Sequence, residues 1–176
     1  MAAAYATLAQ DVQPHRWYAL YVRSRHEKVA ERLLRGKGYA AFSPVYRTRR
    51  RRADRTKELD VPLFPGYVFC QFDPNCRLPI LTTPGVVMVV SAGNSPQPVE
   101  DAEIASIQRI VTSGCPVQPW PFLRDGQKVR IQAGALCGAE GTLLRIKNGY
   151  RLVASVILLQ RSVAVELDQD SVVPVF

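Results

Sequence analysis

Leu63-Phe64-Pro65-Gly66-Tyr67-Val68-Phe69-Cys70-Gln71-Phe72 is the stretch that decides the fold. Pro65-Gly66 signals a turn, because proline presets φ and glycine tolerates the left-handed backbone that a tight turn needs. The six residues beyond it alternate: Tyr67, Phe69 and Gln71 on one side, Val68, Cys70 and Phe72 on the other. That period of two is a β-strand with two distinct faces.

Upstream, residues 17–22 (Trp-Tyr-Ala-Leu-Tyr-Val) are aromatic and β-rich and read as a strand covered on both faces. A helix is expected next, with Ser24 as cap and Glu27 completing a capping box. Val29, Ala30, Leu33 and Leu34 would form its apolar stripe, and Gly36 or Gly38 its end. Residues 39–45 suggest another strand. Residues 47–57, with Arg49 to Arg52 in a row, hold no apolar side chain large enough to bury and read as an exposed, self-repelling loop. Downstream come a turn at Asp73-Pro74-Asn75, a strand over 86–90, and a helix opened by Glu100, Asp101 and Glu103. Ile104, Ile107, Ile110 and Val111 give that helix its apolar stripe. Two helices with about four strands make an α+β sandwich over residues 16–112.

The pattern then changes. Residues 113–121 contain Pro116, Pro119 and Pro121 and read as an extended linker between independently moving domains. Residues 122–176 are short β-branched strands broken by glycine, the signature of a small all-β barrel. Val153, Val156, Ile157, Val163 and Val165 oppose a helical alternative there, since β-branched side chains lose rotamer freedom in helices. Residues 1–15 read as a flexible tail, without the basic start and apolar block of a signal peptide.

Composition narrows the function. The 176 residues carry a net charge of +8, and residues 16–58 alone hold 14 Lys and Arg against 4 Asp and Glu. So local a basic excess is a footprint for polyanions. No apolar run approaches a membrane span, which points to a cytoplasmic protein. Cys70, Cys76, Cys115 and Cys137 lie far apart and the histidines are His15 and His26, so neither a metal nor another cofactor is expected. A Cys–His nucleophile pair would lack an orienting third group, which argues against an enzyme. Nothing demands more than a monomer.

Phe64 to Phe69 resembles the Phe-Pro-Gly-Tyr strand of the NusG N-terminal domain. Trp17-Tyr18-Ala19-Leu20, Thr83-Pro84-Gly85-Val86 and the helix at Glu103 stand around it in that domain's order. Gly126, Val129, Arg130, Ile131, Gly134, Gly138 and Gly141 look like a KOW motif, the glycine-bearing barrel start of the same family. Two places depart from the housekeeping pattern. Gly134 is followed by Ala135-Leu136 instead of Pro-Phe, and Leu158-Leu159-Gln160-Arg161 replaces Ile-Phe-Gly-Arg. These changes resemble a specialised paralogue, of the RfaH or capsule-operon antiterminator kind, more than the general factor.

The resemblance implies a transcription elongation and antitermination factor. Phe64, Tyr67 and Phe69, with Val89 from the neighbouring strand, would form an apolar pocket for the clamp helices of the RNA polymerase largest subunit. A sandwich this small buries one sheet face under its helices, which leaves the other for such a pocket. Asn75 and Arg77 fall where the family touches the second-largest subunit. Arg23, Arg25 and Lys28 would lie near non-template DNA at the transcription bubble, and Arg49 and Arg50 would brush nucleic-acid backbone. Leu158, Leu159 and Arg161 sit where the barrel would dock the ribosomal protein NusE or the termination factor Rho. Adjacent leucines in a strand face opposite ways, with Leu159 expected outward. The alternative is an RNA-binding or ribosome-associated KOW protein, which explains the charge and the barrel but gives no reason for the Phe-Pro-Gly-Tyr domain.

Overall fold

The computed structural model describes residues 15–52, 55–120, 126–146, 149–167 and 172–174; the expected tail, residues 1–15, lies almost wholly outside them. Its N-terminal sheet is antiparallel, with strands in the order β2 (Ala40–Phe42), β5 (Tyr67–Phe72), β1 (Arg16–Val22), β6 (Val86–Val89). Short β9 (Pro98–Val99) also pairs with β1. Ala19 sits opposite Phe69 and Leu20 opposite Val68, so the two strands sort their side chains in step.

One face, bearing Tyr18, Leu20, Val22, Val68, Cys70 and Phe72, packs under helix α1 (Glu27–Gly36) through Ala30 and Leu34. Ile80 from the short helix α2 (Leu78–Leu81) closes this core. Cys70 lies fully inside, and burial pushes its thiol up to about 12. The opposite face, with Ala19 and Phe69, packs against Ile104, Ile107 and Ile110 of helix α3 (Asp101–Thr112).

Three local readings are corrected. Helix α1 starts at Glu27 after His26, with no side-chain cap. The Glu27 carboxylate accepts from Gly66 N at 2.8 Å instead, so it fixes the Pro-Gly turn and closes no capping box. Val29 and Leu33 are the outer edge of its apolar stripe and stay exposed. The arginine segment is no loop: β3 (Val45–Arg52) and β4 (Arg55–Pro62) form a two-stranded antiparallel hairpin. Its pairing sets Tyr46 opposite Val61 and Thr48 opposite Leu59, and sets Arg47 against Asp60 and Arg49 against Glu58. Opposite charges across a ladder supply what the missing apolar residues do not. A second small hairpin joins β7 (Ser91–Ala92) to β8 (Ser95–Pro96).

The C-terminal unit is all-β, one six-stranded antiparallel sheet. Its order is β10 (Val117–Trp120), β14 (Arg161–Leu167), β13 (Gly149–Val156), β12 (Glu140–Ile146), β11 (Gln127–Ile131), β15 (Val172–Pro174). Leu152, Ala154 and Val156 alternate inward on β13, as do Val163, Val165 and Leu167 on β14. Gly141 is fixed by packing, since a Cβ there would lie 2.5 Å from the Val153 carbonyl oxygen.

The segment read as a linker, residues 113–121, is also corrected: Val117–Trp120 is strand β10 and pairs with β14. Pro119 is tolerated because β10 ends the sheet, where a missing amide need not interrupt a ladder.

Candidate partner-binding face

Phe64, Tyr67 and Phe69 do come together. The rings of Phe64 and Phe69 meet edge to face at 5.4 Å, and Phe42 lies 6.4 Å from Phe69. The turn holds this geometry: Tyr67 N donates to Phe64 O, and Val22 N donates to Gly66 O. Tyr67 packs edge-on against Tyr21 at 5.7 Å. Tyr21 in turn pairs with Met88 on β6. Tyr67, Tyr21 and Met88 therefore form one row across three strands, and Tyr21 and Met88 remain 44% and 48% exposed. Sequence reasoning placed Val89 beside this pair. Val89 instead pairs with Leu20 and belongs to the core under α1, because its alternation parity is the wrong one. Tyr21 and Met88 were missed, though the parity of Tyr21 with Ala19 would have revealed the first.

The face is not open. Phe64 and Phe69 are 1% and 0% exposed, in a core continuous with that of the β-domain. Helix α3 is the wedge between them. Arg109 Nη1 donates to Gly138 O at 3.0 Å, and Glu140 N donates to Ser106 Oγ at 2.9 Å. Ile157 N lies 3.4 Å from Glu103 Oε1, its acceptor. Burial raises the Glu103 carboxyl above its ordinary range and Glu100 adds to the rise, against the Ile157 amide and Lys128, which lower it. The Arg161 guanidinium stands 5.0 Å over the Tyr67 ring, and its Nη1 donates to Pro65 O at 3.4 Å.

Leu158 and Leu159 pack against the same shared core. They lie in a 3-10 turn, Ile157–Leu159, and not in a strand, so they do not split to opposite faces. Both are half-buried, and the outward residue is Ile157. The two sets of residues assigned to different partners thus cover each other. In this arrangement the two units share one core. The proline segment does not float, because β10 anchors it to β14.

The remaining predicted residues are not among the contacts described for this junction. Asn75 and Arg77 are exposed, with Asp73 Oδ1 accepting from Asn75 N at 2.8 Å to shape the turn, and neighbouring Leu78 is 70% exposed. Arg23, Arg25 and Lys28 are exposed at the start of α1. Lys28 pairs with Asp60 at 3.0 Å, whereas Arg23 and Arg25 make no ion pair among the described residues. Arg49 pairs with Glu58 at 3.1 Å. The side chain of Arg50 lies outside the described residues; its backbone is in β3. No group of three metal-ligating side chains occurs among the described residues, and none of their helices is long and apolar enough to cross a membrane.

The chain is thus an α+β sandwich whose aromatic turn packs into a core shared with a small all-β unit. Residues 15–108 match the family profile described as transcription termination factor nusG. The transcription termination/antitermination protein NusG of Lactococcus lactis is 32% identical over 165 residues, covering 88% of each chain. That of Thermus thermophilus is 32% identical over 125 residues, 63% of this chain and 66% of the relative. A solved structure of domain interaction in Thermotoga maritima NusG aligns with 92% of this chain and 97% of its own, at 21% identity and a TM-score of 0.49. The chain belongs to the NusG family and is a transcription termination/antitermination factor.

Proposed function

We propose that the chain acts on elongating RNA polymerase through the Phe64–Tyr67–Phe69 face, which takes the clamp helices of the largest subunit. Asn75 and Arg77 reach the second-largest subunit, and a bridge of this kind favours the closed, unpaused state by population shift without chemistry. Arg23 and Arg25 face non-template DNA; Lys28, Arg49 and Arg50 extend the same basic side. Leu158, Leu159 and Arg161 dock NusE or Rho.

The observation that carries this reading is the shared core joining the two partner faces, with Arg161 over Tyr67. An aromatic cluster kept dry by an internal cover has the character of a binding anchor. The cover also couples the partners. A ligand of the β-domain frees the aromatic face, and polymerase frees the β-domain, by the same factor in each direction. When only a fraction of molecules is undocked, the apparent dissociation constant rises by the inverse of that fraction.

The test is capture of a stalled elongation complex by the full-length chain. Tyr67→Ala, at a half-buried position, is expected to lose capture while the circular dichroism spectrum stays that of the parent. Capture undiminished by a folded Tyr67→Ala variant sinks the assignment.

A further inference from the structure

We propose that Glu27 is the positioning residue of the aromatic turn: its carboxylate holds the Gly66 amide in place and so aims Tyr67 at the clamp-helix partner. This role rests on the polymerase reading of Tyr67. It adds to that face a residue that is itself buried and never touches the partner.

The donors of the turn leave little choice. Pro65 has no N–H, and Tyr67 N is used inside the turn on Phe64 O. Gly66 N is therefore the one backbone donor of the Pro65-Gly66-Tyr67 segment left to reach another element, and Glu27 Oε1 accepts it at 2.8 Å. On the acceptor side, Val22 N donates to Gly66 O at 2.9 Å. Gly66 is thus tied to β1 through its carbonyl and to α1 through its amide. Its φ of 84° suits glycine, and a Cβ there would lie 3.4 Å from Tyr21 Cε2. The turn so fixed rests on the ring that Tyr67 meets edge-on at 5.7 Å.

Glu27 has no other partner that accounts for its place. It is 5% exposed and makes no ion pair among the described residues. It is not the counter-ion of the cations around it, since Arg23 and Arg25 are exposed and Lys28 pairs with Asp60. The other acid of α1 shows the ordinary arrangement: Glu31 pairs with Arg35 on the next turn at 2.9 Å. Burying a carboxylate without a cation is costly. The positive end of α1 and a charge-assisted bond from an amide offset part of that cost. An apolar side chain would fill the same space without incurring it. What needs an acceptor here is the Gly66 amide, one residue before Tyr67.

The α1 end of this bond is itself held. Arg23 N donates to Gly85 O at 2.8 Å and His26 N to Arg23 O at 3.0 Å. A Cβ on Gly85 would lie 3.0 Å from His26 Cβ, so that turn and the start of α1 are in close packing. Arg25 takes a left-handed φ of 64° in the same bend, a conformation a non-glycine residue keeps only where its surroundings fix it. Glu27 therefore acts from a rigid base. Without its bond the turn hangs from β1 alone, and a smaller fraction of molecules presents Tyr67 in the binding geometry. The apparent dissociation constant rises by the inverse of that fraction.

The experiment compares full-length Glu27→Gln, Glu27→Asp and Glu27→Met with the parent. Gln keeps an acceptor oxygen at the same reach, Asp keeps the charge but falls one methylene short, and Met fills the space with neither. Exchange of the Gly66 amide is followed by NMR, and affinity is measured for a stalled elongation complex. Asp and Met are expected to speed Gly66 exchange and weaken capture, each by about tenfold or more, while Gln stays close to the parent in both. Met removes a buried charge and is expected to keep the parent's denaturation midpoint, a separation of affinity from stability that a merely structural role does not give. Gly66 exchange equal to the parent's in Asp and Met, full capture with that amide released, or Gln as weak as Asp overturns the proposal. Tyr67→Ala run alongside tells which step fails. If it captures the complex undiminished, the polymerase reading falls and the proposal with it. If it loses capture while Glu27→Asp and Glu27→Met keep theirs, the reading stands and the role of Glu27 alone falls. The contrast of Gln with Asp decides the matter even if Glu27→Met fails to fold.

Discussion

The guanidinium of Arg161 lies 5.0 Å above the ring of Tyr67, so a residue assigned to the β-domain's partner covers one assigned to polymerase. This contact spans 94 positions of sequence and joins the two units at the edge of their shared core. Cation–π pairs at partly exposed sites contribute about 0.5–1 kcal/mol. The Arg161 contact is therefore a trimming interaction, and the buried leucines and isoleucines set the main strength of the dock.

Arg161→Ala should loosen the dock without unfolding either unit. Its loss of about 0.5–1 kcal/mol raises the undocked fraction roughly two- to fivefold. Polymerase affinity is expected to rise by the same factor. A fall would show that Arg161 contacts polymerase itself.

Tyr67→Ala should act oppositely. Losing an aromatic anchor from an interface centre costs about 2–4 kcal/mol of binding, which a competition titration against labelled wild type will read directly. Denaturant midpoints measured in parallel separate this from a loss of fold.

Gly141→Ala should destabilise the β-domain by about 1–3 kcal/mol, the usual result of overpacking. The added Cβ meets the Val153 carbonyl oxygen at 2.5 Å, and a backbone atom between paired strands has little room to yield. A chemical-denaturation midpoint equal to the parent's would show that β12 and β13 separate more readily than their register indicates.

Stability should rise as the medium turns mildly acidic. The Glu103 carboxyl is raised chiefly by burial, so the folded state takes up its proton at a higher pH than the unfolded chain does. Stability is gained as pH falls from neutral through the raised value, and the gain is complete below the ordinary carboxylate value. Glu103→Gln should flatten this part of the pH–stability profile. An unchanged slope in that variant would assign the dependence to another group.

Arg23→Ala should weaken crosslinking to the exposed non-template strand and reduce its salt slope by about 0.7, the loss of one phosphate contact. Polymerase capture should be unaltered, because the exposed Arg23 takes no part in the ring packing of Phe64, Tyr67 and Phe69. A yield and slope equal to wild type would leave Arg23 a solvated charge.

The sandwich was legible because its strands alternate cleanly. Tyr67 to Phe72 announced both faces, and Ile104, Ile107 and Ile110 marked α3. The arginine hairpin was not, since Arg47 to Arg52 shows no apolar period. Its signal lay in mirrored spacing: Arg47 with Asp60 and Arg49 with Glu58 close two nested rungs, while Leu59 and Val61 alternate on the return strand. The dock left still less trace. Each of its polar contacts uses a backbone atom on one side, at Gly138 O, Glu140 N, Ile157 N and Pro65 O. The one side-chain pair described across it, Arg161 over Tyr67, is a cation and a ring 94 positions apart, which no sequence pattern pairs. Val89 failed for a simpler reason, one residue of parity, which a half-buried strand makes decisive.

Cys70, sealed beneath α1 with its thiol pushed up to about 12, makes the sandwich its own clock. A thiol that stays protonated is a poor nucleophile, and in the closed core no alkylating reagent reaches it, while Cys76 and Cys137 are exposed to modification from the start. Once those two are capped and the half-buried Cys115 has reacted, further labelling advances only when α1 lifts from the sheet. Mass spectrometry of the peptide around residue 70 then counts those openings one molecule at a time.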